Sequence, residues 1–454
     1  MLFTTEWLST VFTRYTGSAD ESPIDEVVTD SRKKTNQALF IPITGEKFDG
    51  HDFLKQAFNN GAVAALWETG RDLPGFLPDD FPVYYVDDTL HALQRLAAVY
   101  REKVNPVVIG ITGSNGKTTT KDLMSAILKP SFRTHYTKGN LNNHIGVPLT
   151  ILSMPADSEV LVTEMGMNHF GEIEVLSRIA KPDYAIITNI GESHIEYLGS
   201  REGIATAKLE IMEGMKDNGW LILDGDEPLL RHLHNRNNVI TCGFDTQNDV
   251  IIENVTLGQN RTQFSLSNGE PFSIPLLGRH HALNAALAAT VAKRIGVAAE
   301  TINKAFDSLE HAQMRFELRK GKHGASIIND AYNASPTSMK AAIEVVKQME
   351  GFRRRLLVLG DILELGDQSE SFHRSVTDSI AQPITAVFTL GEQAKVISEA
   401  VKDKNPNIIS MHFTSKDSLL EVLGEYLSED TLILFKASRM MQFEWFVEQL
   451  GNEA

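Results

Sequence analysis

Residues Gly110 to Thr120 (GITGSNGKTTT) are the stretch with the clearest chemical capacity. Glycines at 113 and 116 let the backbone curl so that successive N–H groups converge on phosphate oxygens, and Ser114, Asn115 and Thr119 fill the loop. Lys117 is placed to reach the outer phosphates, and the hydroxyl of Thr118 to meet magnesium. The usual spacing G-x-x-x-x-G-K-S/T is not met, because Ile111 stands where the first glycine belongs. Two further residues lie where a phosphate site needs them. Glu164 closes the apolar run 160–164, and His194 follows the apolar run 185–188, so both are expected at the same sheet edge. Each has an ordinary alternative, a solvated strand-end carboxylate or a structural histidine. Lys208 reads by pattern alone as a helix-surface lysine. Gly278 to Asn284 opens an alanine-rich helix where a purine edge or phosphate can be read, or where the residues only cap the helix. In the last third of the chain, Arg315 offers a guanidinium for transferring phosphate, and Asp330 an acceptor for ribose hydroxyls. Ordinary turn chemistry accounts equally well for the polar turn 329–336.

The flanks supply the elements that must hold these groups. The run 107–112 is apolar and β-branched, and 121–129 has helical periodicity ending at Pro130, which is the strand, loop and helix context a phosphate loop requires. Strands at 159–163, 184–188 and 220–223 alternate with helices, predicting a parallel sheet covered on both faces. An alternating segment between Asn248 and Pro275 predicts a β-meander attached to it. The first hundred residues predict a small α/β domain, and strands at 326–329, 356–359, 386–389 and 432–435 a Rossmann-like one without a dinucleotide fingerprint. The expected class is therefore α/β in three domains: 1–102, 103–313 and 314–454, with boundaries near residue 103 and near Gln313.

Composition narrows the function. The chain has 454 residues, 42% of them apolar, and a formal net charge of −16, which argues against nucleic acid or an anionic membrane as the main partner. One cysteine, Cys242, excludes an intramolecular disulfide framework and a Cys-rich zinc site. No stretch approaches 18 apolar residues without charge, and the first residues lack a basic-then-apolar leader. A cytoplasmic protein without membrane insertion, acting as a monomer, is expected.

Together the motifs resemble the Mur ligase family of ATP-dependent amide-forming enzymes, along essentially the whole chain. The resemblance is carried by Thr112 to Thr119 (TGSNGKTT), Asp30 to Arg32 (DSR), Phe48 to Phe53 (FDGHDF), Gly139 to Pro148 (GNLNNHIGVP), Asp330 to Pro336 (DAYNASP) and Leu359 to Gly366 (LGDILELG). It accounts for the displaced glycine. It implies ligation of D-alanyl-D-alanine to a UDP-N-acetylmuramoyl-tripeptide through an acyl phosphate, with release of ADP and phosphate. The Asp-Asn-Pro-Arg motif of the sister ligase that adds the third residue is absent.

By the same resemblance Lys117 contacts the β- and γ-phosphates, Thr118 and Glu164 hold a first magnesium, and His194 helps to hold a second. Lys208 matches a lysine that carbon dioxide converts to a carbamate ligand of that second ion, which predicts a desolvated amine. Asn284 and the histidine before it match the adenine region, Arg315 a phosphate contact and Asp330 the ribose contact. Ser31 and Arg32 match the uridine diphosphate region, and Asn333 and Ser335 the dipeptide side. His281, Ser335 and Ala437 depart from the usual residues at their positions. Closure of the C-terminal domain over ATP is implied, with hinges near residues 103 and 313. Other readings are a folylpolyglutamate synthase-like ligase, which the Asp30 to Arg32 region disfavours, a phosphate-loop NTPase driving motion or signalling, and a silent binding scaffold.

Overall fold

The computed structural model describes residues 1–309 and 314–451, so the boundary and hinge expected near Gln313 lie outside the described residues. Three large sheets organise the described residues, beside a two-stranded pair of Phe3–Thr4 with Pro23–Ile24. The first is five-stranded, and its strands Glu26–Val28, Ala38–Phe40, Ala62–Glu68 and Val83–Val86 run parallel, with Tyr15–Thr16 antiparallel at one edge. The helix Thr89–Val104 then leads out. It continues one turn's end past the expected boundary at 103 and closes on Asn105, whose left-handed backbone (φ 51°) precedes Pro106. That helix packs on the helix Gly146–Leu152 of the next region, and the buried Tyr100 hydroxyl donates to the Met154 carbonyl at 2.7 Å.

The second sheet has nine strands. Thr134–Tyr136, Val160–Glu164, Val107–Thr112, Tyr184–Ile187, Trp220–Asp224 and Val239–Gly243 lie side by side in that order, all parallel. The central strands Val107–Thr112 and Val160–Glu164 are buried along nearly their full length because helices cover both faces, and polar residues enter only toward their carboxyl ends. The meander predicted from alternation is present as Val250–Leu257, Thr262–Leu266 and Pro271–Ile274; its first strand joins Val239–Gly243 in parallel, and the pairings within the meander are antiparallel. Its apolar face lies under the helices Arg279–Ile295 and Ala299–Asp307.

The third sheet orders Glu317–Lys320, Ser326–Asn329, Thr431–Lys436, Arg354–Gly360, Ala386–Leu390 and Ile409–Phe413, parallel except for the first pair. Its strand ends face the carboxyl edge of the nine-stranded sheet, where the residues singled out above collect. Among the described residues no helix is long and apolar enough to cross a membrane.

Candidate functional site

The phosphate loop forms as its residues dictate. Gly113 has φ 149° and a Cβ there would stand 1.8 Å from Thr188 Oγ1, so only glycine fits. Gly116, left-handed at φ 81°, is the N-cap of the helix, which begins at Lys117 rather than at residue 121 as periodicity alone indicated. The first turn of that helix therefore presents its free N–H groups directly at the loop. Among the described residues the buried Ser114 Oγ and Asn115 Nδ2 have no hydrogen-bond partner. Buried polar atoms normally find one, and a bound phosphate is suited to supply it.

Lys117 Nζ donates to the Gly113 carbonyl at 2.7 Å. Burial pushes its pKa below the ordinary lysine value, Glu164 pulls it back up, and Arg315 lowers it further. Thr118 Oγ1 donates to Glu164 Oε2 at 2.9 Å, while Asn142 Nδ2 donates to the other carboxylate oxygen, also at 2.9 Å. A hydroxyl and a carboxylate thus meet as two hard oxygen donors, with the carboxylate held from its far side. Lys208 comes from the helix Arg201–Leu209 and is only 2% exposed. Among the described residues it makes no hydrogen bond or ion pair. Burial, then the charge of Lys117, drives its pKa well below the ordinary value, favouring the neutral amine. It is a buried cavity-wall amine and not a surface lysine.

His194 has a left-handed backbone (φ 65°) at the start of the short helix Ile195–Leu198. Its Nδ1 stands 2.6 Å from Glu364 Oε2, at an angle that leaves the nitrogen without a finished hydrogen bond. Arg315 reaches in from the third region, its Nη2 donating to Thr118 Oγ1 at 3.0 Å and its guanidinium lying 4.1 Å from the Tyr332 ring centre.

Two adjoining cavities meet at Thr118, His194, Arg315 and Tyr332. One, of about 470 Å³, runs along the phosphate loop past Lys208 to His280, Asn284, Asp330 and Lys436. The side chain of Asn284 lies so close to Gly116 that a Cβ there would be 2.7 Å from its Oδ1. Burial lowers the His280 pKa to about 4, so this wall carries a neutral imidazole at physiological pH. Asp330 Oδ2 accepts from Lys436 Nζ at 2.6 Å and Oδ1 from the Phe316 amide at 3.1 Å, leaving lone pairs free on both oxygens. The second cavity, of about 880 Å³, continues past Asn333, Glu364 and Arg439 on one side and Lys121 and Tyr136 on the other.

Not every expected residue converges here. Ser335 lines neither cavity; it is the N-cap of the helix Pro336–Gln348, in a capping box with Ser338, and its hydroxyl also donates to Asn115 Oδ1 at 3.2 Å. Its position before an N1 proline explains why. Ser31 and Arg32 lie in the first region, Ser31 Oγ donating to Gln56 Oε1 at 2.7 Å and Arg32, 80% exposed, pairing with Asp30 at 2.8 Å. Asn142, Lys436 and Glu364 were assigned no task from sequence. All three sit inside or beside recognisable motifs at strand ends, which is the signal that marks them.

A phosphate loop on a parallel sheet, faced by a second α/β unit that lends it a cation, defines a nucleotide-using enzyme whose site is completed by its C-terminal region. The family pattern described as Mur ligase middle domain matches residues 111–292, the Mur ligase glutamate ligase domain matches 314–439, and the Mur ligase family catalytic domain matches 23–101. The chain belongs to the Mur ligase family. It is 48% identical to the UDP-N-acetylmuramoyl-tripeptide–D-alanyl-D-alanine ligase of Bacillus subtilis, covering 95% of this chain and 94% of that one. The crystal structure of MurF from Acinetobacter baumannii superposes with a TM-score of 0.88 at 30% identity, covering 99% and 98% of the two chains. MurF from Thermotoga maritima, solved in complex with ADP, gives 0.81 at 30% identity over 93% and 96%.

Proposed function

We propose that this chain joins D-alanyl-D-alanine to the terminal carboxylate of a UDP-N-acetylmuramoyl-tripeptide, consuming ATP and releasing ADP and phosphate. It is an ATP-dependent ligase of peptidoglycan precursor synthesis. The observation that carries the reading is the meeting of the two cavities at Thr118, His194 and Arg315, which gives nucleotide and acyl acceptor one common point.

A carboxylate is a poor electrophile until it carries a leaving group. Its oxygen attacks the γ-phosphorus of ATP and ADP departs. The neutral amine of the dipeptide then attacks the acyl carbon, phosphate leaves, and the amine nitrogen loses a proton. Lys117 and Arg315 oppose the charge spread over the transferring phosphoryl group from two sides. The main-chain amides of Gly113 to Thr118 cradle the phosphates, Asn284 faces the adenine, and Asp330 the ribose. Asn333 faces the dipeptide; Ser335 shapes that wall indirectly, through the helix cap and Asn115. Ser31 and Arg32, in the domain at 1–102, hold the uridine diphosphate end.

The donor set suits magnesium, which prefers few carboxylates together with phosphate oxygens. Thr118 and Glu164 would hold one ion, and His194 and Lys208 a second, where the ions neutralise crowded phosphate charge. The Lys208 amine bonds the carbon of carbon dioxide and gives up one proton, becoming an anionic oxygen donor; its burial and its lack of a partner support this. The chain is read as a monomer acting in the cytoplasm. Domains at 103–313 and 314–454 close on each other during turnover to keep water from the acyl phosphate.

The test is to supply ATP, magnesium, UDP-N-acetylmuramoyl-tripeptide and D-alanyl-D-alanine. Sustained ADP release that requires both organic substrates supports the reading; sustained release with the tripeptide substrate omitted would reassign the chain to a nucleotide hydrolase.

A further inference from the structure

The motif Leu359 to Gly366 has no place in the chemistry above, yet it is held with unusual care. It leaves the end of the strand Arg354–Gly360. Asp361 accepts three main-chain N–H groups, from Glu392 at 3.1 Å, Gln393 at 2.9 Å and Ala394 at 2.7 Å. The Ile362 amide donates to His373 Nε2 at 3.0 Å, and the Leu363 amide to Ser438 Oγ at 2.9 Å. The residue these anchors deliver is Glu364. Its backbone is left-handed at φ 61°, a conformation that is unfavourable for a non-glycine residue and persists where the surroundings impose it.

Among the described residues the carbonyl and the carboxylate of Glu364 each find a polar contact in the nine-stranded region. Its carbonyl accepts from the Glu196 amide at 3.2 Å, and its carboxylate meets His194 Nδ1. The loop bearing His194 is gripped a second time, two residues earlier, where Glu192 accepts from the Thr337 amide at 3.2 Å and from its hydroxyl at 2.8 Å. With Nδ1 turned to Glu364, Nε2 is the nitrogen left for the cavity.

We propose that Glu364 is a positioning residue for His194, delivered by the Leu359–Gly366 loop of the C-terminal region, so that the imidazole is oriented from across the cleft. This rests on the reading of His194 as a residue that helps to hold magnesium. A carboxylate on the far nitrogen fixes ring orientation and tautomer, and removing such a partner weakens metal binding about tenfold or more. A surface ion pair alone requires neither the three anchors nor the strained backbone.

The experiment measures, by calorimetry on the full chain, the magnesium concentration that half-saturates binding of the non-hydrolysable ATP analogue AMP-PNP. Four variants are compared: Glu364→Ala, Glu364→Gln, His194→Ala and the double Glu364→Ala/His194→Ala. Glu364→Ala is expected to raise the magnesium requirement about tenfold. Glu364→Gln, which retains an acceptor, should recover part of that loss, and the double variant should be no worse than His194→Ala. A normal magnesium requirement in Glu364→Ala beside a raised one in His194→Ala overturns the positioning role and leaves the reading of His194 standing. Additive losses in the double variant overturn it equally, because two groups acting through one another cannot add. A normal requirement in His194→Ala overturns the underlying reading itself.

Discussion

Arg315 and Thr118 are 197 residues apart in the chain and 3.0 Å apart in space, the guanidinium donating to the hydroxyl that already donates to Glu164. One cation from the C-terminal region thereby enters the first turn of the phosphate-loop helix. Under the proposed role of that charge on the transferring phosphate oxygens, replacing it with alanine is expected to lower kcat by about 10²- to 10³-fold. Arg315→Lys should recover little, because an ammonium lacks the planar fork that can serve Thr118 and stack on Tyr332 together. Steady-state ADP release measures both; near-normal turnover in Arg315→Ala would remove the residue from the mechanism.

Lys208→Ala is expected to reduce ligation by at least ~10³-fold, the scale of losing an essential electrostatic group. Added formate or acetate should restore part of the rate by replacing the anionic oxygen. Independently, ¹³C-labelled bicarbonate should give a carbamate carbonyl resonance that disappears in Lys208→Ala. Full activity in the unrescued variant, or no resonance difference, would contradict the carbamate.

Gly113→Ala must push a methyl group into Thr188, 1.8 Å from its Oγ1 and 3.1 Å from its main-chain nitrogen. A loss of ~2 kcal/mol or more of stability is expected, in the range of mutations that strain a special backbone position. Nucleotide affinity should fall with it, as the loop amides are displaced. Denaturant unfolding and calorimetry with AMP-PNP test the two effects separately.

Asp224, at the end of the strand Trp220–Asp224, has its pKa pushed up from the ordinary 3.8 to about 7, by burial first and then by the charges of Asp226 and Glu227. A carboxyl raised in the fold favours folding while protonated. That contribution is complete below pH 4, declines as pH rises, and is gone above about 7. Asp224→Asn should therefore gain stability over the parent as pH rises from 5 to 8, on the order of 2 kcal/mol. Chemical denaturation at the two pH values checks it; a difference independent of pH would show that Asp224 titrates normally.

Much of this architecture was legible in the linear chain because its causes are local. Apolar runs bounded by turns specified the parallel strands, the alternation from Asn248 to Pro275 specified the meander, and the glycines specified the phosphate loop. Where the local pattern is weak, reading failed. The edge strand Ile409–Phe413 exposes Ile409 and Met411 and buries Ser410, the reverse of the expected alternation, and Thr134–Tyr136 is three half-buried residues long. Family resemblance pointed to Lys208, but composition placed it on a surface. Only the fold removes water from its amine and sets Lys117 nearby, and desolvation does not exist until distant segments surround the group. The same holds for Glu364 against His194 and Arg315 against Thr118. The sequence by itself determined which elements form and where the glycine-rich loop turns into its helix, since periodicity and turn chemistry act over a few residues. The tertiary structure alone decided which side chains meet there, because those contacts depend on how two sheets pack against each other across the cleft.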